Sequence, residues 1–357
     1  MKKLRVGVIF GGRSGEHEVS VASAASIFRH LDRSRYEAVP IRIEKSGRWM
    51  LGDTAPDAPS AADVIEGGAT EVLQPVEPSA AVSGSGLDVV FPVLHGPYGE
   101  DGTVQGLLEL ANVPYVGAGV LGSAVGMDKA VMKTLFAACG LPIVPHHTVL
   151  RREWLERRHS IAERAAGELR FPMFVKPANL GSSVGISKAK SAADFVDAME
   201  LAFQFDRKVV VEAAVPRARE IECAVLGNDA PEASVPGEII PSREFYDYEA
   251  KYLDEGSRLL IPAPLTDAQT VEIRRLALDA FRAVDGAGMS RVDFLVAGDT
   301  GQIFVNEVNT IPGFTTISMY PKLWEASGVP YPILLDRLIA LALERHAEKQ
   351  RLRTSIT

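Results

Sequence analysis

The chain has few cysteines and no long apolar run. Cys139 and Cys223 are its only two cysteines, which argues against a disulfide framework and favours a reducing compartment. Neither lies in the spacing of a structural zinc site. The apolar run from Val6 to Phe10 is too short for a secretion signal, and no run approaches the length of a membrane span. The sequence therefore predicts a cytoplasmic protein.

An excess of positive charge is also missing. The 357 residues include 46 acidic and 38 basic side chains, which gives a formal net charge of −8. Nucleic acids and membrane surfaces are themselves acidic, so neither is an expected partner. The composition, 46% hydrophobic and 24% charged, is that of an ordinary globular protein, and the length suggests two or three domains.

The P-loop motif G-x-x-x-x-G-K-[ST] is absent, so an ATP site in this chain would be of another kind. A glycine-rich loop at 11–15 nevertheless follows a predicted strand and precedes a predicted helix, where backbone N–H groups can bind an anion. A tight turn is the alternative interpretation of this loop. Glu16, beside the helix start, could bind an ammonium group instead.

Hydrophobic periodicity predicts a mixed α/β protein in three parts. Apolar strands at 4–10 and 38–43 flank a predicted helix at 19–31, an order typical of a parallel sheet. Residues 75–86 have little periodic signal and are predicted to be irregular, whereas 113–116 is predicted to be a strand. The predicted parts are an N-terminal α/β domain at 1–122, a central domain at 123–213 and a C-terminal domain at 214–357.

A predicted hairpin in the last part concentrates hard oxygen ligands. Its strands are predicted at 291–296 and 304–309, joined by a run of turn formers. Carboxylate and amide oxygens suit Mg²⁺ or Mn²⁺ held with substrate phosphates. The alternative is structural, with solvated acids and an arginine in a salt bridge. A central turn would place Asp293 opposite Glu307 and Arg291 opposite Asn309, all on one face.

Two lysines complete a predicted phosphate site. Lys129 lies near the start of a helix predicted from Met127 to Cys139. Lys176 closes an apolar strand, where its charge needs an anionic partner or an exit to solvent. The loop at 179–185, rich in glycine and serine, could close over phosphate oxygens. Together these residues predict lysines on one wall of the site and metal ions on the other.

Six motifs occur in order along nearly the whole chain, among them GGRSGEHEVS at 11–20 and LHGPYGEDG at 94–102; the others lie at 127–129, 175–185, 245–252 and 306–313. Together they resemble the motifs of the D-alanine–D-alanine ligases of the ATP-grasp superfamily. The resemblance implies an ATP-grasp fold: an N-terminal doubly wound parallel-sheet domain, then two α+β domains that sandwich ATP. It also implies a role in peptidoglycan precursor synthesis and a homodimer.

The resemblance implies a reaction in two steps. ATP phosphorylates the carboxylate of one D-alanine, and the amine of a second attacks the acyl phosphate to give D-alanyl-D-alanine, ADP and phosphate. Two Mg²⁺ or Mn²⁺ ions would lie on Asp293, Glu307 and Asn309. The residues implied to bind ATP are Lys129, Lys176, Ser183, Glu212, Val215, Glu220 and Lys251.

The resemblance also assigns the substrate side. Glu16 would bind the ammonium of the first D-alanine, with Ser182 and Tyr252 linked to it by hydrogen bonds. Arg291 and the Gly313 amide would donate to the tetrahedral oxyanion of the second step. The acceptor of the attacking amine's proton is left open. The remaining residues implied to lie near the substrates are His95, Ser318 and Met319.

A mobile loop near 242–258 is expected to close over the site and exclude water. Its Tyr252 favours D-alanine over D-lactate as the second substrate, by the same resemblance. Three other classes stay open: a nicotinamide-dependent oxidoreductase with Glu44 as the ribose-binding acid, a non-catalytic ligand-binding protein, and an ATP-grasp ligase for another amino or hydroxy acid.

Overall fold

The computed structural model describes residues 2–52, 73–181, 184–240 and 258–353. Within them the chain forms a mixed α/β protein with three sheets. Of the predicted loop near 242–258, residues 242–257 lie outside the described residues. Among the described residues no single helix is long and apolar enough to cross a membrane; the two last helices pass that test only as a pair bent by 104°.

The N-terminal part is built on a five-stranded sheet with the order β4-β3-β2-β1-β5. Strand β1 runs parallel to both β2 and β5, as the predicted strand, helix, strand unit requires, while β3 and β4 add antiparallel edges. Its elements are β1 (Leu4–Gly11), α1 (His17–His30), β2 (Tyr36–Ile43), β3 (Trp49–Leu51), β4 (Gln74–Val76), α2 (Pro78–Ser83), β5 (Val89–Pro92) and α3 (Thr103–Leu110).

Two sequence predictions for this part were wrong. Residues 75–86 were predicted to be irregular but hold most of β4 and all of α2. Ala81 and Val82 of α2 are buried in the same cluster as Ile41 and Ile43, so tertiary packing stabilises a helix too short to show periodicity. The strand predicted at 113–116 is reduced to one isolated parallel bridge to β5.

The central part has its own four-stranded antiparallel sheet, in the order β6-β9-β7-β8. Its core is built around Trp154, Phe195 and Phe203. The helix predicted from Met127 is divided at Asp128, which ends one helix and caps the next by accepting two backbone N–H bonds. The elements are α4 (Val120–Met127), α5 (Lys129–Ala138), β6 (His146–Leu150), α6 (Arg151–Glu168), β7 (Met173–Pro177), β8 (Ser187–Ala189), α7 (Ala192–Phe205) and β9 (Lys208–Ala213).

The C-terminal part contains a six-stranded antiparallel sheet, ordered β13-β12-β10-β14-β15 with β11 paired to β10. The sequence had not predicted α9, an eight-residue helix. The elements are β10 (Arg219–Gly227), β11 (Glu232–Ala233), β12 (Gly237–Ile240), β13 (Arg258–Leu260), α8 (Asp267–Ala283), β14 (Gly288–Val296), β15 (Ile303–Asn309), α9 (Met319–Ala326) and α10 (Tyr331–Gln350).

The first and last parts share one hydrophobic core. Phe28 of α1 and Phe91 of β5 belong to the same buried cluster as Tyr320 of α9 and Leu338 of α10. Arg345 of α10 also donates to a backbone carbonyl of the N-terminal part, at 2.6 Å. The domain boundaries at 122 and 213 stay predictions; residue 122 lies within α4. The shared core fixes the N-terminal sheet against the C-terminal one.

Candidate active site

The predicted hairpin forms with the predicted register. Strands β14 and β15 pair Asp293 with Glu307 and Arg291 with Asn309. Asn309 Nδ2 donates to Asp293 Oδ2 at 2.9 Å. The register shifts just after Asp293, at an irregularity that ends the strict pairing beside the polar residues. Four polar side chains therefore lie together on one face of the C-terminal sheet.

Arg291 binds two carboxylates in this site. Its Nε and one terminal nitrogen each donate to Asp293 at 2.7 Å, and its Nε also lies 3.1 Å from Glu222 Oε2. The structure thus contains the salt bridge that was the alternative interpretation of the hairpin. Sequence reasoning missed Glu222, although its two-residue spacing from Glu220 on one strand places both acids on one face.

A buried triad of charges lies beside the hairpin, on the central sheet. Glu212 Oε1 is 2.9 Å from Lys133 Nζ, and Glu212 Oε2 is 2.6 Å from Lys176 Nζ. The Lys133 and Glu212 side chains are only 1% and 2% exposed. Sequence reasoning missed Lys133, although it lies one helical turn after Lys129.

The charges within the triad decide its ionisation. Burial opposes ionisation of Glu212, but the two ammonium groups outweigh it and hold the pKa near 2. For Lys176, burial lowers the pKa, but the nearby Glu212 and Glu307 carboxylates raise it by more, so the pKa is raised overall. Burial is decisive for Lys133, whose pKa is lowered. Glu212 is therefore a carboxylate fully engaged with cations.

The lysines connect the central part to strand β15. Lys129 Nζ donates to the Leu180 carbonyl at 2.6 Å and lies 3.7 Å from Glu307 Oε2. Lys133 Nζ donates to the backbone oxygen of Asn306 at 3.2 Å, and Lys176 Nζ to its side-chain oxygen at 3.4 Å. The two predicted walls of the phosphate site are therefore in contact.

Glu16 lies buried directly before α1, where two glycines make room for its carboxylate. A Cβ atom at Gly181 would lie 2.7 Å from Glu16 Oε2, and one at Gly96 would lie 3.0 Å away. Gly96 also has a φ of +76°, which glycine adopts at little cost. Gly181 belongs to the predicted phosphate loop, so the Glu16 carboxylate lies where the N-terminal and central parts meet.

His95 is buried and has one ring nitrogen engaged. Its Nδ1 lies 3.0 Å from the Ile311 carbonyl oxygen, which can only accept, so Nδ1 carries the proton. Burial lowers the pKa of His95, despite the opposing charge of Glu16. The ring is therefore neutral, with a lone pair on Nε2. Within the described residues Nε2 has no hydrogen-bond partner, although it is fully buried.

Glu100 lies beside these groups and was not among the predicted site residues. Its Oε2 accepts from the Gly96 amide at 2.7 Å and its Oε1 from the Ile311 amide at 3.2 Å. Burial, with the nearby Glu16 carboxylate, raises the pKa of Glu100 to about 8. Its place in the 94–102 motif was the available signal.

Gly313 and Ser318 form a tight turn next to α9. Ser318, the residue before the helix, accepts a hydrogen bond at 3.0 Å from the Thr315 amide. A Cβ atom at Gly313 would lie 2.7 Å from Ser318 Oγ, closer than a methyl group tolerates. Met319 is buried as the first helical residue. A side chain at 313 would therefore have to displace the Ser318 hydroxyl from the turn.

Replacing Gly313 with alanine should lower kcat by about tenfold to a hundredfold, because the new methyl displaces the Ser318 turn and moves the backbone amide. Gly106 in α3 is the matched control, since a Cβ there meets no atom within 4 Å. Gly106→Ala should leave kcat unchanged and stabilise the helix by about 0.5–1 kcal/mol. Steady-state kinetics and thermal melting of both variants provide the comparison; equal kcat values would contradict the steric argument.

The remaining predicted residues are distributed as follows. Val215 follows β9, and Glu220 lies on β10 within electrostatic reach of Lys176. Glu44 is paired with Arg48 at 3.1 Å near the surface, which leaves the oxidoreductase interpretation without a ribose-binding acid. Ser182, Ser183, Lys251 and Tyr252 lie outside the described residues.

The first two backbone amides of the loop at 11–15 donate hydrogen bonds to neighbouring groups of the N-terminal part. Gly11 donates to Ser20 Oγ at 2.8 Å, and Gly12 donates to the Ile43 carbonyl at 2.8 Å. Those two N–H groups are therefore engaged in forming the turn, which favours the tight-turn interpretation over an anion site. Ser14 instead links the loop to the other motif, donating to the His95 carbonyl at 2.6 Å.

The donor set on the hairpin fits a hard divalent cation. No group of three or more His, Cys, Asp or Glu side chains in metal-binding proximity occurs in the part of the chain that the structure describes. The hairpin instead offers two carboxylates and one amide, which is the kind of partial ligand set that Mg²⁺ completes with substrate phosphates and water. The positive groups that now contact these acids are Lys129 and Arg291.

Comparison with known proteins accounts for nearly the whole chain. A family model described as D-ala D-ala ligase N-terminus matches residues 5–118, and one described as D-ala D-ala ligase C-terminus matches residues 135–340. The chain is 51% identical to the D-alanine--D-alanine ligase of Heliobacterium modesticaldum and 54% identical to that of Solibacter usitatus. In each case 98% of both chains is covered.

Solved structures give the same result at the level of the fold. The D-alanine-D-alanine ligase from Coxiella burnetii is 40% identical, with a TM-score of 0.83 over 98% of this chain and 97% of that one. The VanG D-Ala:D-Ser ligase from Enterococcus faecalis is 34% identical, with a TM-score of 0.83 over 96% and 100%. The similarity confirms the predicted fold class.

Proposed function

The chain belongs to the D-alanine–D-alanine ligase family, and we propose that it joins two D-alanine molecules through an acyl phosphate, with the residues described above in the roles given below. Membership makes the protein an ATP-dependent ligase with the ATP-grasp fold. The observation that supports the proposed roles is that these residues lie at one junction. Asp293, which holds Arg291, lies opposite Glu307, which Lys129 approaches. Glu16 lies against Gly181, next to the Leu180 carbonyl that accepts from Lys129, and His95 contacts Ile311, two residues after Asn309.

The first substrate is bound through its ammonium group by Glu16. This buried carboxylate supplies the negative charge that a desolvated ammonium requires. Lys129, Lys176 and Lys251 offset the negative charge of the ATP phosphates, and Ser183 donates a hydrogen bond to them. Phosphoryl transfer depends chiefly on position and charge neutralisation, which these cations supply without covalent chemistry.

Two Mg²⁺ or Mn²⁺ ions, held by Asp293, Glu307 and Asn309, would neutralise the β- and γ-phosphates when bound. Asp293 binds the guanidinium of Arg291 in this structure, so it would have to release that group in order to bind a metal ion. Glu222 can retain Arg291, because it already lies 3.1 Å from Nε. Arg291 would then be able to turn a terminal N–H toward the substrate.

In the second step the amine of the second D-alanine loses a proton and its nitrogen attacks the acyl carbon. The oxyanion that forms accepts hydrogen bonds from Arg291 and the Gly313 amide. The carbon–oxygen bond to phosphate then breaks. The attacking nitrogen, which began as an ammonium and lost one proton before the attack, gives a second proton to the departing phosphate and keeps the third as the amide N–H. We assign His95 Nε2 as the acceptor of the first proton, because it has no hydrogen-bond partner among the described residues. Ser318 and the Met319 backbone bind the carboxylate of the second substrate.

Three residues bind the adenosine part of ATP in this proposal. Glu212 fixes Lys176 and borders the adenine, the backbone near Val215 reads the adenine edge, and Glu220 holds the ribose. The proposal also includes a homodimer and a cytoplasmic location, where ATP is made. Sedimentation of the purified protein tests the dimer.

The activity is tested by measuring ADP, phosphate and dipeptide with D-alanine, L-alanine, D-serine and D-lactate in parallel. D-Alanine should give one ADP and one phosphate per dipeptide, and removal of divalent cations with a chelator should stop the reaction. D-Lactate should be a poorer second substrate near neutral pH, as Tyr252 predicts. Turnover with L-alanine alone would overturn the assignment, and faster turnover with D-lactate would overturn the role of Tyr252.

A further inference from the structure

Glu100 joins two segments that are far apart in the chain. Its Oε2 accepts from the amide of Gly96, in the loop that carries His95, at 2.7 Å. Its Oε1 accepts from the amide of Ile311, in the loop between β15 and α9, at 3.2 Å. A single carboxylate thus connects the N-terminal part to the C-terminal part inside the candidate active site.

The same loop is held a second time by His95. The Ile311 carbonyl accepts from His95 Nδ1 at 3.0 Å, so Ile311 is bound at both its N–H and its C=O. Asn309, a proposed metal ligand, precedes it by two residues, and Gly313, a proposed oxyanion donor, follows it by two. Movement at Ile311 would therefore move both groups.

We propose that Glu100 is a positioning residue of the ligase reaction: by holding the Gly96 and Ile311 amides together, it sets where His95 and the Gly313 amide stand relative to each other. The inference rests on the proposed function of Gly313 and His95. It adds a residue that touches no substrate and acts through two backbone amides.

The requirement for a carboxylate follows from the two bonds. A carboxyl group keeps an acceptor on each oxygen whether it is ionised or protonated, whereas glutamine offers one acceptor oxygen and one NH₂ donor, which would face an N–H group. Aspartate keeps both acceptors but is shorter by one methylene and cannot span both amides. The charged groups that face Glu100 are Glu16 and Arg291, one of each sign. Its hydrogen bonds to amides of two segments distant in the chain set Glu100 apart from a solvated surface acid.

The next residue provides a matched control. Asp101 also accepts hydrogen bonds from two backbone amides, that of Tyr98 at 2.9 Å and that of Thr103, the first residue of α3, at 3.0 Å, but both lie within three residues of it in the chain. Asp101→Asn therefore makes the same chemical change one residue away without breaking a connection between the two parts. A purely local structural role would affect both variants alike.

Glu100→Gln should lower kcat for dipeptide formation by about tenfold to a hundredfold, with the KM for ATP within about twofold of the parent. The kcat of Glu100→Asp should lie between those of the parent and Glu100→Gln. The kcat of Asp101→Asn should stay within about twofold of the parent. A kcat loss in Asp101→Asn equal to that in Glu100→Gln would overturn the proposal, as would an unchanged kcat in Glu100→Gln. If the parent itself makes no dipeptide, the proposed function fails instead.

A second readout does not depend on turnover. In ¹⁵N-histidine-labelled protein, the His95 ring should show the Nδ1–H tautomer in the parent, with its signal identified by its loss in His95→Gln. Glu100→Gln should weaken that tautomer preference by releasing the Ile311 loop, whereas Asp101→Asn should leave it unchanged. An unaltered tautomer in Glu100→Gln would contradict the positioning role, and Glu100→Asp serves in the same measurement should the glutamine variant not fold.

Discussion

Arg291→Lys should reduce kcat by about a hundredfold to a thousandfold, the size of loss seen when an oxyanion donor is removed. The guanidinium has several N–H groups in a rigid fork, so it can hold a carboxylate and donate to substrate at once. A lysine ammonium is a compact point charge and cannot span both positions. Because lysine keeps the positive charge between Asp293 and Glu222, the fold should survive the change.

Arg219→Lys is the control for this variant. Arg219 is also half-buried and also forms a fork with a carboxylate, that of Glu238, at 2.8 and 2.7 Å. It lies on β10 of the same sheet, and its side-chain hydrogen bonds reach none of the proposed catalytic groups that the structure describes. Steady-state kinetics of both variants, with thermal melting to confirm folding, separate the two roles. Similar losses of kcat in the two variants would show that Arg291 acts only in stability.

Glu212→Gln should lower the free energy of unfolding by about 3–5 kcal/mol, because it leaves two buried ammonium groups without their anion. The contacts at 2.9 and 2.6 Å and the near-complete burial of the triad identify it as one ionic unit. Chemical denaturation measures the loss. Adding Lys133→Met should recover part of it, since the double variant has one fewer unpaired charge.

The control for this prediction is Glu109→Gln, which removes the charge of a more exposed acid paired with Lys349. It should cost less than about 1 kcal/mol, because a solvent-screened pair contributes little. A loss in Glu212→Gln as small as that in Glu109→Gln would contradict the account of the triad.

The pH dependence of the Glu212 effect has a definite sign. Its folded-state pKa of about 2 lies below the ordinary value of 4.5, so the charged carboxylate stabilises the fold above pH 4.5. That contribution is lost as pH falls from 4.5 toward 2. The difference in unfolding free energy between the parent and Glu212→Gln should therefore narrow across that interval and stay constant above it.

The β14–β15 hairpin was predictable because its signals are local. Period-two alternation and a short run of turn formers fix the register, and the register alone brings Asp293 opposite Glu307. The helix at 192–205 depends on similarly local signals, because its apolar positions and its Ser191 cap are contained within the segment itself.

Contacts over long sequence separations were not predictable in the same way. Glu100 reaches Ile311 across 211 positions, and Lys133 reaches Asn306 across 173, so no periodicity in either segment records the partner. The short helices α2 and α9 were missed because they are stable only against buried neighbours. Local propensity is weak in segments of six to eight residues.

The sequence by itself determined which chemical groups this protein has and where along the chain they occur: the motifs, the order of elements, the hairpin register and, by resemblance, the family. Only the tertiary structure decided which charge faces which. Glu212 became the anion of two buried lysines, Arg291 the shared partner of Asp293 and Glu222, and Glu100 the link between two loops. The reason is physical, since the strength of a charge or hydrogen bond depends on its burial, and burial depends on residues distant in sequence.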